Sequence, residues 1–368
     1  MALSRIDTTN MIEDVPQSKL DNNINFRNII INGDMSIAQR GTSASSLTSS
    51  STYQTIDRYA TELGSNGTWT QSQSTDVPTG QGFVKSLKMD CTATGSGGYL
   101  HITQRFEGQN LQYLKKGTSS ADSTTLSFWV KSNKTGTYII EFLDTDNTRS
   151  ISKSYTINNS STWEKKTITF AGDTSGVLNN DNAESLRMLW WLGAGSTYTS
   201  GTLQTSWGSQ VAANRAVGQV NLADSTSNEW YMTGLQLEAG TSASDFEFLP
   251  VDVNLQRCLR YFYVHVDGTD KHISMAAAYN TNYVVSEIQY PVLMRTVPSL
   301  IQVTGTNYYI FYRDASSNKF DQFNASGARA TTKGLNLETS SNISGTAGSG
   351  GIIATYNASA KLSVDAEL

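Results

Sequence analysis

The strongest constraint on this chain is its period. Between residues 26 and 250 apolar residues recur at every second position in short runs, and no long stretch repeats with the spacing of a helix. Residues 124–131 and 137–143 read as neighbouring strands joined by the turn sequence Ser132-Asn-Lys-Thr-Gly136. Residues 163–170 place Ile168 and Phe170 on one face and Lys165 and Thr167 on the other. Residues 186–192 are apolar enough for a central strand, and 229–240 close the region with renewed alternation. The pattern predicts an all-β chain. A jelly-roll β-sandwich over 26–250 is followed by a second, smaller β-sandwich over 251–368, with 1–25 as a short N-terminal arm.

The boundary near 250 is compositional. All seven tryptophans precede residue 231, whereas nine of the 17 tyrosines lie between Tyr261 and Tyr356. Leu255, Cys258 and Leu259 fall at i, i+3 and i+4, so a short helix is expected to lead into a strand at Tyr261. Further strands are expected over 283–290, 300–303, 308–313 and 352–356, with Gly345-Thr-Ala-Gly-Ser-Gly-Gly351 as a loop tip. In the arm, Thr8-Thr9-Asn10 suits the cap of a single turn through Met11, Ile12 and Val15, ended by Pro16. Such a segment cannot bury enough apolar surface to fold alone, so it reads as a tail or as an arm that orders on a partner.

Composition excludes several classes. A net charge of −5 and no basic run interleaved with aromatics argue against nucleic-acid binding. Residues 1–25 lack the apolar core of a signal peptide, and no run of 18 apolar residues exists to insert in a membrane. Cys91 and Cys258 stand alone without metal spacing and read as free thiols of a protein made in a reducing cytoplasm, although a disulfide is compatible with the count. His101, His265 and His272 are too few and scattered for a metal cluster, and no nucleophile elbow, P-loop or H-E-x-x-H occurs. No catalytic residue, metal or cofactor is therefore assigned. Asp144-Thr-Asp146-Asn147 has the spacing of part of a calcium loop but lacks the remaining ligands, and an Asx-rich turn accounts for it.

Residues 28–42 read Asn-Ile-Ile-Ile-Asn-Gly-Asp-Met-Ser-Ile-Ala-Gln-Arg-Gly-Thr, and Asp57-Arg58-Tyr59 follows after a polar gap. Physically this is a strand, a tight turn at Asn32-Gly33-Asp34 and a second strand. Its wording resembles the opening of a family of bacteriophage virion proteins, chiefly tail fibres. Arg257-Cys-Leu-Arg-Tyr-Phe262, Tyr290-Pro-Val-Leu-Met-Arg-Thr-Val-Pro298 and the ending Val364-Asp-Ala-Glu-Leu368 resemble later phrases of the same family, in the same order. The strands at 124–131 and 163–170, with Gly234-Leu-Gln-Leu-Glu-Ala-Gly240, also look like carbohydrate-binding-module jelly rolls.

The resemblance implies a structural protein of a tailed-phage virion, most simply a homotrimeric tail fibre or spike. The arm would dock on tail or capsid proteins, and the distal unit would attach to a host surface glycan or receptor without turnover. The alternatives are a capsid decoration or head-fibre protein with the same domains, a polysaccharide depolymerase, and a secreted carbohydrate-binding module. The missing β-helix repeat counts against the depolymerase. Sugars are gripped by aromatic faces beside amides and hydroxyls, which singles out Trp191, Trp207, Tyr279, Tyr283, Tyr308 and Tyr309. Trp190 and Trp191 are adjacent, so one faces the core and the other outward. Core packing or subunit contact would produce the same aromatic pattern.

Overall fold

A long strand that changes partner midway organises the first part of the chain. β2 (Ala60–Ser74) pairs antiparallel with β4 (Tyr99–Glu107) through Ala60–Gly64 and with β3 (Ser86–Ala93) through Thr68–Ser74. It thus joins two layers. One runs β10 (Gly208–Ser209), β7 (Arg149–Ile157), β6 (Gly136–Asp144), β9 (Glu184–Ala194), β4, β2. The other runs β2, β3, β11 (Glu229–Ala239), β5 (Thr124–Ser132), β8 (Glu164–Phe170). β1 (Ser43–Tyr53) pairs with β2 alone. The computed structural model describes residues 26–314, 316–324 and 329–368.

This is an antiparallel jelly-roll sandwich, and period-two alternation builds its core. Ile102, Phe128, Val130, Ile140, Phe142, Met188, Trp190, Trp230 and Met232 are buried between the layers. The opposite face of β4, β9 and β6 carries His101, Arg105, Arg187, Trp191 and Glu141. A second, smaller apolar cluster of Ile139, Leu189, Trp191 and Ala216 forms there, under the connection between β9 and β11.

The second unit has two antiparallel sheets around one core. The first is ordered β12 (Phe262–Asp267), β20 (Lys361–Asp365), β15 (Ser299–Gln302). The second is β17 (Ser316–Phe320), β16 (Tyr309–Arg313), β19 (Gly350–Thr355), β13 (His272–Asn280), β14 (Tyr283–Gln289), β18 (Gly334–Thr339). Val266, Leu362 and Val364 from one sheet meet Ile273, Ile288, Phe311, Leu337 and Ile353 from the other. The expected helix is present as Val251–Leu259, begun by Pro250. Cys91 and Cys258 are buried and free.

The compact units do not divide at residue 250 alone. Residues 37–42 and 56–58 belong to the second unit, although the rest of that unit begins at Pro250. Gln39 donates its side-chain amide to Phe262 O at 2.8 Å, and Arg40 lies 3.7 Å over the Phe262 ring and 3.1 Å from Asp365. Arg58 pairs with Glu367 and stacks 3.5 Å over Tyr261. Within the second unit, residues 37–42 and 56–58 thus supply groups that hold Tyr261, Phe262, Asp365 and Glu367.

Residues 28–38 form no strand, contrary to expectation. Asn32 and Met35 adopt left-handed backbone, with φ of 60° and 59°, which interrupts any ladder. Side-chain amides supplement the two backbone bonds that remain to β11, from Ile29 N–H to Leu237 O at 2.8 Å and from Leu235 N–H to Gly33 O at 2.9 Å. Asn28 bonds to both Leu235 and Leu237 of β11, and Gln104 exchanges two hydrogen bonds with the backbone of Ile31 at 2.9 and 3.0 Å. Gly33 is required by close approach, because a Cβ there would stand 2.2 Å from Leu235 O. The polar gap before Asp57 is instead β1, an edge strand without an apolar face to announce it.

Two outcomes follow. Gly33→Ala should destabilise the first unit by about 1–3 kcal/mol, the usual cost of overpacking, read as a lowered denaturation midpoint. Arg58→Ala leaves the buried Glu367 with Arg40 alone, 3.4 Å away, and should cost the second unit less than the about 3–5 kcal/mol of a fully uncompensated charge, read by the same measurement.

Candidate functional site

Two surfaces place aromatic rings beside polar groups. The first is a cleft of about 470 Å³ on the jelly roll. β1 and the turn after it supply Ser46, Thr48, Ser49, Thr52 and Gln54, and β2 and β4 supply Leu63 and Tyr99. Hydroxyls and an amide thus face one half-buried phenol ring. The volume falls in the usual range of small-molecule sites, about 300–1,000 Å³.

Tyr99 is held from behind. Its ring stacks on His101 at 5.3 Å with 19° between planes and meets Tyr198 edge-on at 5.9 Å. His101 in turn sits 4.8 Å from the Trp191 ring. Beneath this aromatic column lies a buried charge network. Arg105 donates to Glu62 at 2.9 Å, and Arg187 bonds both Glu62, at 3.1 Å, and Glu184, at 2.8 Å. Trp191 Nε1 donates to Glu141 at 3.0 Å, and Arg215 Nε bonds the same carboxylate at 2.9 Å. Burial alone would raise the Glu62 carboxyl, but the guanidiniums of Arg187 and Arg105 beside it hold it below the ordinary value. Burial dominates at His101, whose pKa is pushed down to about 3. The histidine is a neutral packing group.

The second surface is the outer face of the six-stranded sheet. Tyr279 is 74% exposed, and its ring meets that of Tyr283 edge-on at 6.2 Å. The Tyr283 hydroxyl bonds Glu338 on β18. The register sets Met275 opposite Ile352 and Ile352 opposite Tyr312, so exposed Met275, Ile352 and Tyr312 continue the row. Beside it lies a 430 Å³ hollow whose lining includes Glu287, Tyr290, Leu293, Arg329 and Lys333.

The expected site residues therefore divide. Tyr279 and Tyr283 come together on an open face. Trp191 and Tyr309 are fully buried and offer no face to a ligand. Trp191 points away from the main core as alternation requires, yet the β9–β11 connection covers it with Tyr198, Leu203 and Ala216. Tyr309 packs on Phe320 and Phe323, with its hydroxyl donating to Val303 O at 2.9 Å. Tyr308 is half-buried against the second core. Trp207 is half-exposed but committed, its Nε1 bonding Ala171 O at 2.7 Å and its ring lying 3.7 Å from Lys116 Nζ. Met11, Ile12 and Val15 lie outside the described residues. Tyr99 and the hydroxyls of β1 were not singled out by sequence, because a Ser/Thr-rich stretch reads equally as linker.

Among the described residues no group of three or more His, Cys, Asp or Glu side chains is placed to hold a metal ion. No helix among them is long and apolar enough to cross a membrane.

No protein-family model and no curated protein matches the chain. Solved structures similar to it include the enzymatically active domain of tailspike protein 4 of bacteriophage CBA120, at 13% identity and a TM-score of 0.33, covering 58% of this chain and 21% of that one. A CBM4 structure is similar at 12% identity and a TM-score of 0.29, covering 56% of this chain and 97% of that one. A family 30 carbohydrate-binding module is similar at 12% identity and a TM-score of 0.31, over 61% of this chain and 93% of that one. This chain thus spans about a fifth of the tailspike's length.

The pH dependence of stability has a defined sign. The unfolded chain protonates His101 near 6.5 and the folded chain only near 3, so the unfolded state binds more protons between those values and stability falls as pH drops through that window. Glu62, depressed when folded, adds a loss below about 4.5. Between pH 6.5 and 4 the His101 contribution should be on the order of 3 kcal/mol. Urea titrations should show the wild type losing about 3 kcal/mol more stability than His101→Gln between pH 6.5 and 4.

Proposed function

We propose that the protein is a structural component of a tailed-phage virion, a tail fibre or spike that attaches to a host surface glycan without turnover. The observation that carries the glycan part is the Tyr99 cleft, where one braced aromatic face meets five short polar side chains. A sugar offers an apolar C–H face and a ring of hydroxyls, which is the complement of that lining. The exposed Tyr279 and Tyr283 pair supplies a second platform of the same chemistry. The virion assignment rests on the four ordered phrases from Asn28 to Leu368.

Each contact of this kind is weak. A homotrimer presenting three copies, and many fibres on one particle, would raise the effective affinity without any new contact. The segment 1–25 is assigned to docking on tail or capsid proteins, and the protein to the virion exterior.

The test uses the full-length protein on host cells and on a glycan array. Wild type should coat cells, and Tyr99→Ala should reduce glycan binding by at least tenfold, about 1.4 kcal/mol, at a temperature where melting curves show the variant still folded. Tyr279→Ala/Tyr283→Ala should reduce cell coating independently. Binding to purified capsids with none to cells or glycans would overturn the attachment reading and favour a head-decoration role.

A further inference from the structure

Among the described residues, Lys116 is a lysine whose surroundings suit chemistry better than solvation. It follows the short turn Gln112–Leu114, and its side chain is 5% exposed, in a site where the side chains of Asp144 and Asp173 are 0% and 1% exposed. Its Nζ has no hydrogen-bond partner, although it stands 3.6 Å from Asp173 Oδ2 and 3.8 Å from Asp144 Oδ2. A buried ammonium with three donors and none used is an expensive arrangement. The Trp207 ring closes the site 3.7 Å from Nζ, and the indole is fixed by its bond to Ala171 O. Below, Gly176 leaves room where the two carboxylates converge. A Cβ there would come within 2.5 Å of Asp144 Oδ2 and 2.7 Å of Asp173 Oδ2.

The two acids are not equivalent. Arg149 grips Asp173 through two parallel bonds of 2.8 and 2.9 Å, and the Ser175 N–H adds a third at 3.0 Å. That carboxyl is held below its ordinary range, against the effect of burial, and stays an anion. Asp144 accepts from the backbone and side-chain amides of Asn147 at 3.0 and 3.1 Å, and burial raises it. Burial lowers Lys116, so a dry ammonium–carboxylate pair is driven toward neutral amine and neutral acid.

From this arrangement we propose that Lys116 and Asp144 join in an intramolecular isopeptide bond, with Asp173 as the proton carrier. The neutral Nζ attacks Cγ of the Asp144 carboxylic acid, and a C–N bond forms. Asp173 takes a proton from the nitrogen and passes it to a departing oxygen. The C–O bond then breaks and one water leaves. Ammonium plus carboxylate become amide plus water, with no oxidant and no change in net charge. Nζ already stands 3.8 Å from Oδ2 of the carboxyl it would attack and 3.6 Å from the carboxylate that would take its proton, so only a small approach is needed to bring the reacting atoms together. Sealing by Trp207 keeps bulk water from reversing the step. The bond ties the β4–β5 connection to the end of β6, a cross-link resistant to reduction, unlike a disulfide.

The experiment is the intact mass of the denatured full-length protein, followed by fragmentation of its peptides. The expected result is a mass lower than the sequence mass by one water, with residues 116 and 144 in a branched peptide. Lys116→Arg and Asp144→Ala should each restore the full mass, and Asp173→Ala should leave most of the protein uncross-linked. The wild-type melting point should exceed that of Lys116→Arg by several degrees. A wild-type mass equal to the sequence mass overturns the proposal, whether or not the variants fold. So does a deficit of one ammonia, which would make Asn147 the acyl donor, or a deficit that persists in Lys116→Arg.

Discussion

Charge compensation away from water is the interaction on which the first unit depends. The jelly-roll sheet formed by β4, β9 and β6 has two faces, and only one of them is apolar. On the other, Glu62 and Glu141 are buried and would each be very costly if left alone. Arg105, Arg187 and Arg215 meet them from neighbouring strands and from the β9–β11 connection. Because Arg215 comes from that connection, neutralising Glu141 also fastens the cover over Trp191. The cover in turn places Tyr198 against Tyr99, and Tyr99 lines the cleft. A cleft lined by hydroxyls is thus tied, through packed rings, to ion pairs it never touches.

The two units use different means for the same end. In the first, side-chain amides from Asn28 and Gln104 supplement the two backbone bonds left where a strand is missing. In the second, arginine planes lie on aromatic rings while their charged edges hold acids near the C terminus. Arg295 adds to this, donating to Ala366 O and Glu367 O at 2.7 Å each. Arginine suits the role because its guanidinium can stack and bond at once.

Much of the fold was legible because alternation over five or more residues has few other meanings. β5, β6, β8, β9 and β11 lie within a few residues of the expected runs, and the helix at Val251 was visible in Leu255, Cys258 and Leu259. What was hidden had no apolar signature. β1 contains Ser43-Ala-Ser-Ser-Leu-Thr and pairs at an edge, so nothing marks it. The site was less legible than the fold for a geometric reason. Trp191 and Tyr309 have the composition of ligand platforms, but whether a ring is covered depends on loops far away in sequence. Tyr279 and Tyr283 were readable because a tight connection between adjacent strands leaves their rings side by side.

The placement of residues 37–42 and 56–58 in the second unit bears on how the chain is made. These segments leave the ribosome early, but the groups they bind, Tyr261, Phe262, Asp365 and Glu367, come from the far end. Until residues 365–367 are synthesised, Arg40 and Arg58 lack Asp365 and Glu367, although Asp57 of their own segment is near both. All the strands of the jelly roll, by contrast, lie before Leu249. The second unit therefore assembles by a closure spanning more than three hundred residues, from Arg40 to Asp365, the kind of non-local step that slows folding.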